Sequence, residues 1–265
     1  MGFTVIYNFS FRHFDNFVGY VSDALTLGYT KRVDGFSEYP EKSFNMALYI
    51  DDEENNVHRH QDILGEKIDF PVENWVLPIQ RHGGNIIEVK RLDRGTNIRS
   101  LSESFYDVDG VYTYDRDVLL TMNYADCIPV YVWSEVDDFI GLAHAGWRGT
   151  QAEITKKLIA AYRGNIENLR VVIGPGINKD HYEVDDKVID ALSPLSTASY
   201  SQTSTGYLLD LKNVNKEQAE RVGIDSNHIH VTDFGTEEAD FFSYRLEKGK
   251  TGRALAFIGR KSKDD

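Results

Sequence analysis

The 265-residue chain has one cysteine, Cys127, so no disulfide can form within it, and a lone thiol agrees with a reducing compartment. Basic residues are few: 29 Lys and Arg stand against 42 Asp and Glu, a net charge of −13 that repels a phosphate backbone and argues against nucleic acid as a partner. No apolar run approaches the roughly 20 residues that span a bilayer, so no membrane partner is expected. Met1–Ser10 (MGFTVIYNFS) has no basic leader region or cleavage site, and a cytoplasmic protein is expected. There is no repeat, no Pro- or Ser-rich linker, and no low-complexity tract beyond the charged end Lys261–Asp265. Nothing marks a domain boundary, so residues 1–265 are read as a single domain, acting as a monomer or a weak homo-oligomer.

What is present suits a packed core: 41% of the residues are hydrophobic and the charge is spread along the chain. The clearest patterns predict strands at Trp75–Ile79 and Ile86–Val89 around a His82-Gly83-Gly84-Asn85 turn. A second pair is predicted at Val118–Met122 and Ile128–Trp133, followed by Phe139–Ala143. Thr150-Gln-Ala-Glu153 has the spacing of a capping box and predicts a helix carrying Ile154, Leu158 and Ile159 as far as Gly164. Further helices are predicted at Glu53–Leu64, Asp185–Leu192 and Asn213–Val222, the last stopped by Gly223, with buried strands at Leu169–Ile173, Ile229–Thr232 and Ala254–Ile258. Some strand pairs are joined too tightly for parallel crossovers, so the expectation is an α+β fold of layered, mixed sheets flanked by helices.

Candidate chemistry sits at turns. Gly174-Pro175-Gly176 follows a strand, but Lys179 stands where a dinucleotide fingerprint needs its third glycine, which leaves a tight turn as the reading. Of the eight histidines, His13, His58, His60, His228 and His230 have no visible partner set. His82, Cys127 and His144 differ, since each lies at a strand end or turn beside small residues that admit a ligand. Two imidazoles and a thiolate meet the needs of a catalytic zinc site, which takes three protein ligands and leaves a position open. Their separations match no local metal motif, so a buried apolar cysteine and two unrelated histidines remain the alternative at this point. Asp126 precedes the cysteine and is either a general base or a turn residue. Arg148 leads into a helix start, where an anion such as phosphate would be neutralised, unless it pairs with a carboxylate.

Taken in order, the motifs resemble one family. They are Gln80-Arg81-His82-Gly83, Asp109-Gly110, Ala125-Asp126-Cys127-Ile128-Pro129, His144-Ala145-Gly146-Trp147-Arg148-Gly149, Ile173-Gly174-Pro175, Tyr182-Glu183-Val184, Asp210-Leu211, Phe241-Phe242-Ser243-Tyr244-Arg245 and Thr251-Gly252-Arg253. The chain, from about Ser43 to Ile258, is similar to the laccase-domain purine nucleoside phosphorylases, which include the bacterial YfiH and YlmD proteins. The resemblance implies a fold like that of YfiH and of cytotoxic necrotizing factor, and a metal on His82, Cys127 and His144. It also implies zinc as that metal, with copper the alternative, and purine nucleosides and phosphate as substrates. The implied reactions are phosphorolysis of adenosine, inosine, guanosine and S-methyl-5′-thioadenosine, and deamination of adenosine. The chain departs from the family pattern at Arg81, often Val, at Val231-Thr232, often Cys-Thr, and near His60-Gln61, often Asn-Arg.

For deamination, zinc would activate a water for attack on C6 of the purine, with Asp126 carrying protons to the departing ammonia. For phosphorolysis, Arg148 would hold the phosphate that approaches C1′. Three rivals stand beside this reading. A Cys–His amidohydrolase would use Cys127 as nucleophile on a cell-wall precursor, and metal content separates it from the metal enzyme. A non-enzymatic interaction module has no need of a thiol and two histidines at turns. A copper polyphenol oxidase would need more His-x-His groups than His58-Arg59-His60 and His228-Ile229-His230.

Overall fold

The computed structural model describes residues 9–39 and 41–262; most of Met1–Ser10 and the last three residues of the charged end lie outside the described residues. Strand periodicity sets the layers. Val118, Leu120, Met122 and Tyr124 of strand Val118–Tyr124 point into one core, while Leu119 points into another. Strand Ala254–Arg260 repeats the division, with Ala254, Ala256 and Ile258 on one side and Leu255 and Phe257 on the other. Both belong to a six-stranded sheet in the order Arg12–His13, Phe17–Val21, Thr26–Thr30, Ala254–Arg260, Val118–Tyr124, Trp75–Val76, antiparallel except at the last pair.

The second six-stranded sheet runs Ile229–Val231, Leu169–Ile173, Ile128–Ser134, Ile140–Ala145, Gly110–Thr113, Ile86–Glu88. It is antiparallel in the middle and parallel at both edges, a mixed sheet as expected. Tyr131, Trp133, Ile140, Leu142 and Val172 face the first sheet, and the two sheets close over this shared core. Helix Glu54–Lys67 covers the outer face of the first sheet, with Leu64 packed beside Phe70 and Trp75. Helices Ile154–Ala160 and Leu211–Arg221 cover the outer face of the second through Leu158, Ile159, Val214 and Ala219. Gly223, at φ +101°, ends the latter helix as its position after the periodic stretch implied. No helix among the described residues is long and apolar enough to cross a membrane.

Two expected pairings are corrected. Trp75–Val76 and Ile86–Glu88 lie in different sheets, and so do Val118–Tyr124 and Ile128–Ser134. A hairpin would put both strands of a pair in one sheet. Here Met122 and Tyr124 meet Tyr131 and Trp133 across the core from the opposite sheet. Residues 77–85 and 125–127 are therefore crossings between sheets. The capping box is also absent. Thr150 lies inside a short helix, Trp147–Gln151, where its N–H donates to Gly146 O at 2.8 Å and its hydroxyl accepts from Asn215 Nδ2 at 3.0 Å. Glu153, at φ +56°, breaks the path, and helix Ile154–Ala160 starts anew.

Candidate metal centre

The two crossings and the end of strand Ile140–Ala145 meet at one rim of the sandwich. Asp126, at φ +87°, turns the chain out of the first sheet and delivers Cys127 to the head of Ile128–Ser134. Ile128 pairs with Ala145 and Pro129 with His144, so Cys127 falls opposite Gly146. A side chain at Gly146 would start 2.8 Å from Cys127 Sγ and 3.6 Å from His82 Cδ2, which is why the backbone there must be bare. His82 enters from the other crossing at φ +61°. One ligand atom from each of His82, Cys127 and His144 lies within 4.8 Å of the others, and among the described residues no second group of three His, Cys, Asp or Glu gathers this way.

A fourth residue holds the two histidines in place. Asp109 is fully buried, and its carboxylate accepts the N–H groups of Arg81 at 3.1 Å, His82 at 2.9 Å and Gly83 at 2.7 Å. Asp109 Oδ1 also lies 2.9 Å from His144 Nδ1. An ionised carboxylate only accepts, so Nδ1 carries the proton of that bond and Nε2 is the ring atom left to face Cys127 and to take a metal. This carboxylate–imidazole arrangement is the one that orients a metal-binding histidine. Burial pushes the Asp109 carboxyl up, but His144 and the backbone donors outweigh it and hold it below its ordinary value.

Electrostatics favour the thiolate. Burial raises the Cys127 thiol, yet His144 and His82 bring it down to about 6. Burial lowers His144, while Cys127 and Asp109 lift it to about 9. The donor set fits a metal: a thiolate and two imidazoles suit zinc or a soft copper ion, and a carboxylate already orients one imidazole.

The three residues line a cleft of about 660 Å³, within the range of small-molecule sites. Trp147, Tyr182 and Tyr244 supply aromatic faces, and Arg81, Arg148, Arg245 and Arg253 supply positive charge in an otherwise acidic chain. Arg148 stacks on Trp147 with its guanidinium 4.3 Å from the ring centre, and no carboxylate pairs with it among the described residues. Arg245 is anchored to the Glu183 carbonyl at 2.7 Å. Asp126 also lines the cleft, with both oxygens engaged: Oδ1 accepts from Thr236 Oγ1 at 2.7 Å and Oδ2 from Arg245 N–H at 2.6 Å. Gly176 of the Gly-Pro-Gly turn packs against the carbonyls of Asp126 and Cys127, where a Cβ would come within 3.0 and 3.3 Å. That turn supports the site from behind.

His60 is a core residue, its Nδ1 2.7 Å from Asn45 O and its Nε2 accepting Phe36 N–H at 2.8 Å. Gln61 is buried beside it and donates to Ile98 O at 2.7 Å, so this departure from the family pattern lies away from the cleft. Asp109 and the arginines at 81, 245 and 253 had no role in the sequence reading. Their visible signal was membership of short motifs, without a sign that these converge.

The sequence pattern of a family described as multi-copper polyphenol oxidoreductase laccase matches residues 26–261. A purine nucleoside phosphorylase of Staphylococcus epidermidis is 46% identical over 243 residues, covering 89% of this chain and 92% of that protein. One of Staphylococcus aureus is 45% identical over 246 residues, covering 91% and 93%. The crystal structure of YlmD from Geobacillus stearothermophilus superposes with a TM-score of 0.90 at 36% identity, covering 95% of this chain and 98% of that one. YfiH from Bacillus licheniformis follows at 0.89 and 32%, covering 96% and 100%.

Proposed function

The chain belongs to the multi-copper polyphenol oxidoreductase laccase family, and from that premise we propose that it is a metal-dependent purine nucleoside enzyme. Its reactions are phosphorolysis of adenosine, inosine, guanosine and S-methyl-5′-thioadenosine, and deamination of adenosine. The observation that carries this reading is the convergence of His82, Cys127 and His144 on the wall of a cleft that is both aromatic and lined by arginines. Its relatives named purine nucleoside phosphorylase support the substrate class.

The three residues would hold zinc, with copper the alternative, and the ion when bound supplies a Lewis acid that can activate a water. Asp109 fixes the His144 ring, and the aromatic side chains of the cleft accept the flat base. Arg148, stacked on Trp147 and with no carboxylate partner among the described residues, neutralises phosphate as it approaches C1′. Asp126 faces the cleft as the group that carries protons in deamination. Incubating the zinc-loaded protein with adenosine, inosine and methylthioadenosine, with and without phosphate, and identifying the products tests the whole reading. Free base appearing only with phosphate, together with phosphate-independent inosine from adenosine, is the expected pattern.

Two substitutions divide the roles. Arg148→Ala should raise the phosphate KM about 10-fold, in keeping with loss of one charged hydrogen-bond donor, and spare adenosine deamination. Equal losses in both reactions would make Arg148 a nucleoside contact instead. Asp126→Asn should keep its metal while losing on the order of 10² to 10⁴ in deaminase kcat. Asparagine can preserve both present contacts, its carbonyl toward Arg245 and its amide donating to Thr236, so the melting temperature should hold. Near-normal turnover with normal metal would reduce Asp126 to a turn residue, and metal loss in step with activity would make it a support for Cys127.

The alignment Asp109–His144–Cys127, with a thiol near 6, also favours a second reading, a cysteine amidohydrolase acting on a peptidoglycan precursor. Metal content separates the two, because a metal on the thiolate removes the free nucleophile. Metal-free protein that hydrolyses an amide and is alkylated at Cys127 would favour the second.

A further inference from the structure

Asn123 stands one residue from the end of strand Val118–Tyr124, on the wall of the cleft. It is 3% exposed, and neither Oδ1 nor Nδ2 of its side chain has a hydrogen-bond partner among the described residues. Among the described residues it is the one buried, unpartnered polar side chain that lines this cleft. Buried amides are almost always paired, so this one lacks a partner that the described residues do not supply.

The backbone around it is held firmly. Asn123 N–H donates to Gln80 Oε1 at 2.9 Å, and Gln80 Nε2 donates to Asn123 O at 3.0 Å. On the other side the residue pairs with Leu255 in the sheet. Gln80 is thus fully engaged with the main chain, and it comes from the same crossing that delivers His82. Leu77, Pro78, Ile79 and Leu101 line the same cleft with apolar surface, and none of the polar groups lining it hydrogen-bonds the amide.

Resting on the nucleoside reading above, we propose that the Asn123 carboxamide recognises the edge of the purine base and that Gln80 is its positioning residue. A carboxamide offers one acceptor and one donor side by side. Adenine matches it with its 6-amino group and an adjacent ring nitrogen. Hypoxanthine and guanine match it with N1–H and O6 once the amide is turned over. One residue therefore accepts both 6-amino and 6-oxo purines, while a base without a 6-substituent leaves half of the buried amide unsatisfied.

The test compares phosphorolysis of adenosine with that of purine riboside, which lacks the 6-amino group, in the zinc-loaded wild type and in Asn123→Leu and Asn123→Ala. The readout is the ratio of kcat/KM values for the two substrates. Both are measured on the same preparation, so any loss of folded or metal-loaded enzyme cancels. The ratio should fall about 10- to 100-fold in both variants, with metal content retained and the melting temperature of the substrate-free protein held or raised, since an unpaired buried amide has been removed. Variants that keep the wild-type ratio overturn the assignment, whether or not their stability changes. Wild-type protein that cleaves neither nucleoside overturns the nucleoside reading and this inference with it, and that result is distinct from an unchanged ratio in active variants.

Discussion

Cys127→Ala protein should purify without the roughly one zinc per chain expected of the wild type, and its nucleoside turnover should fall to background. The thiolate is the one soft, anionic ligand of the three, and its charge is stabilised in place by His144 and His82. Alanine leaves two imidazoles, an incomplete set for zinc. Losing a Lewis acid at the reacting centre should cost at least as much as losing one preorganised hydrogen-bond donor, on the order of 10² to 10³ in rate. Elemental analysis and turnover are read on the same sample. The half-buried position tolerates a small side chain, so the melting temperature of metal-free wild type is the proper comparison. Full metal occupancy in both Cys127→Ala and His144→Ala would remove the metal assignment.

The second large effect is expected at a residue that binds no metal. Asp109→Asn keeps the shape of the side chain but turns one acceptor oxygen into a donor. Four groups now share that carboxylate: the N–H groups of Arg81, His82 and Gly83, and His144 Nδ1. At least one must lose its partner in a site with no water access, since Asp109 is fully buried. Breaking a buried charged pair costs about 3 to 5 kcal/mol. For a chain of this size that is a fall in melting temperature on the order of 10 °C. Because the same carboxylate orients His144 and shapes the His82 turn, zinc affinity should fall by about 10- to 100-fold. Calorimetry and a competitive zinc titration measure the two effects. A variant with wild-type melting temperature and zinc affinity would mean that the turn and the imidazole are fixed by other contacts.

Local burial was legible in the chain, and the arrangement between elements was not. The apolar run Val118–Met122 reads as a buried strand, and its apolar side chains are indeed core. It does not say which sheet the next strand joins. The short connection between the strands expected at Val118–Met122 and Ile128–Trp133 read as a hairpin, whereas Asp126 in the left-handed region turns the chain across the sandwich. The same blindness hid Asp109, whose function consists of contacts to residues 81–83 and 144, none of them near it in the chain. Thr150 misled for a local reason, since its hydroxyl serves Asn215 rather than a helix start. The histidines, the cysteine and their glycine neighbours were visible because small residues beside potential ligands are a pattern that sequence carries directly. The arginines of the cleft arrive from separate segments, and only the fold gathers them.

The central claim is that a metal at His82, Cys127 and His144 drives purine nucleoside chemistry in this cleft. Its most direct test is to titrate zinc into metal-free protein in the presence of inosine and phosphate, following hypoxanthine and ribose 1-phosphate together. Both products should appear in equal amounts, only with phosphate, at a rate that climbs with bound zinc and levels off at about one ion per chain. A rate indifferent to zinc, or no cleavage of inosine at full zinc occupancy, would contradict it.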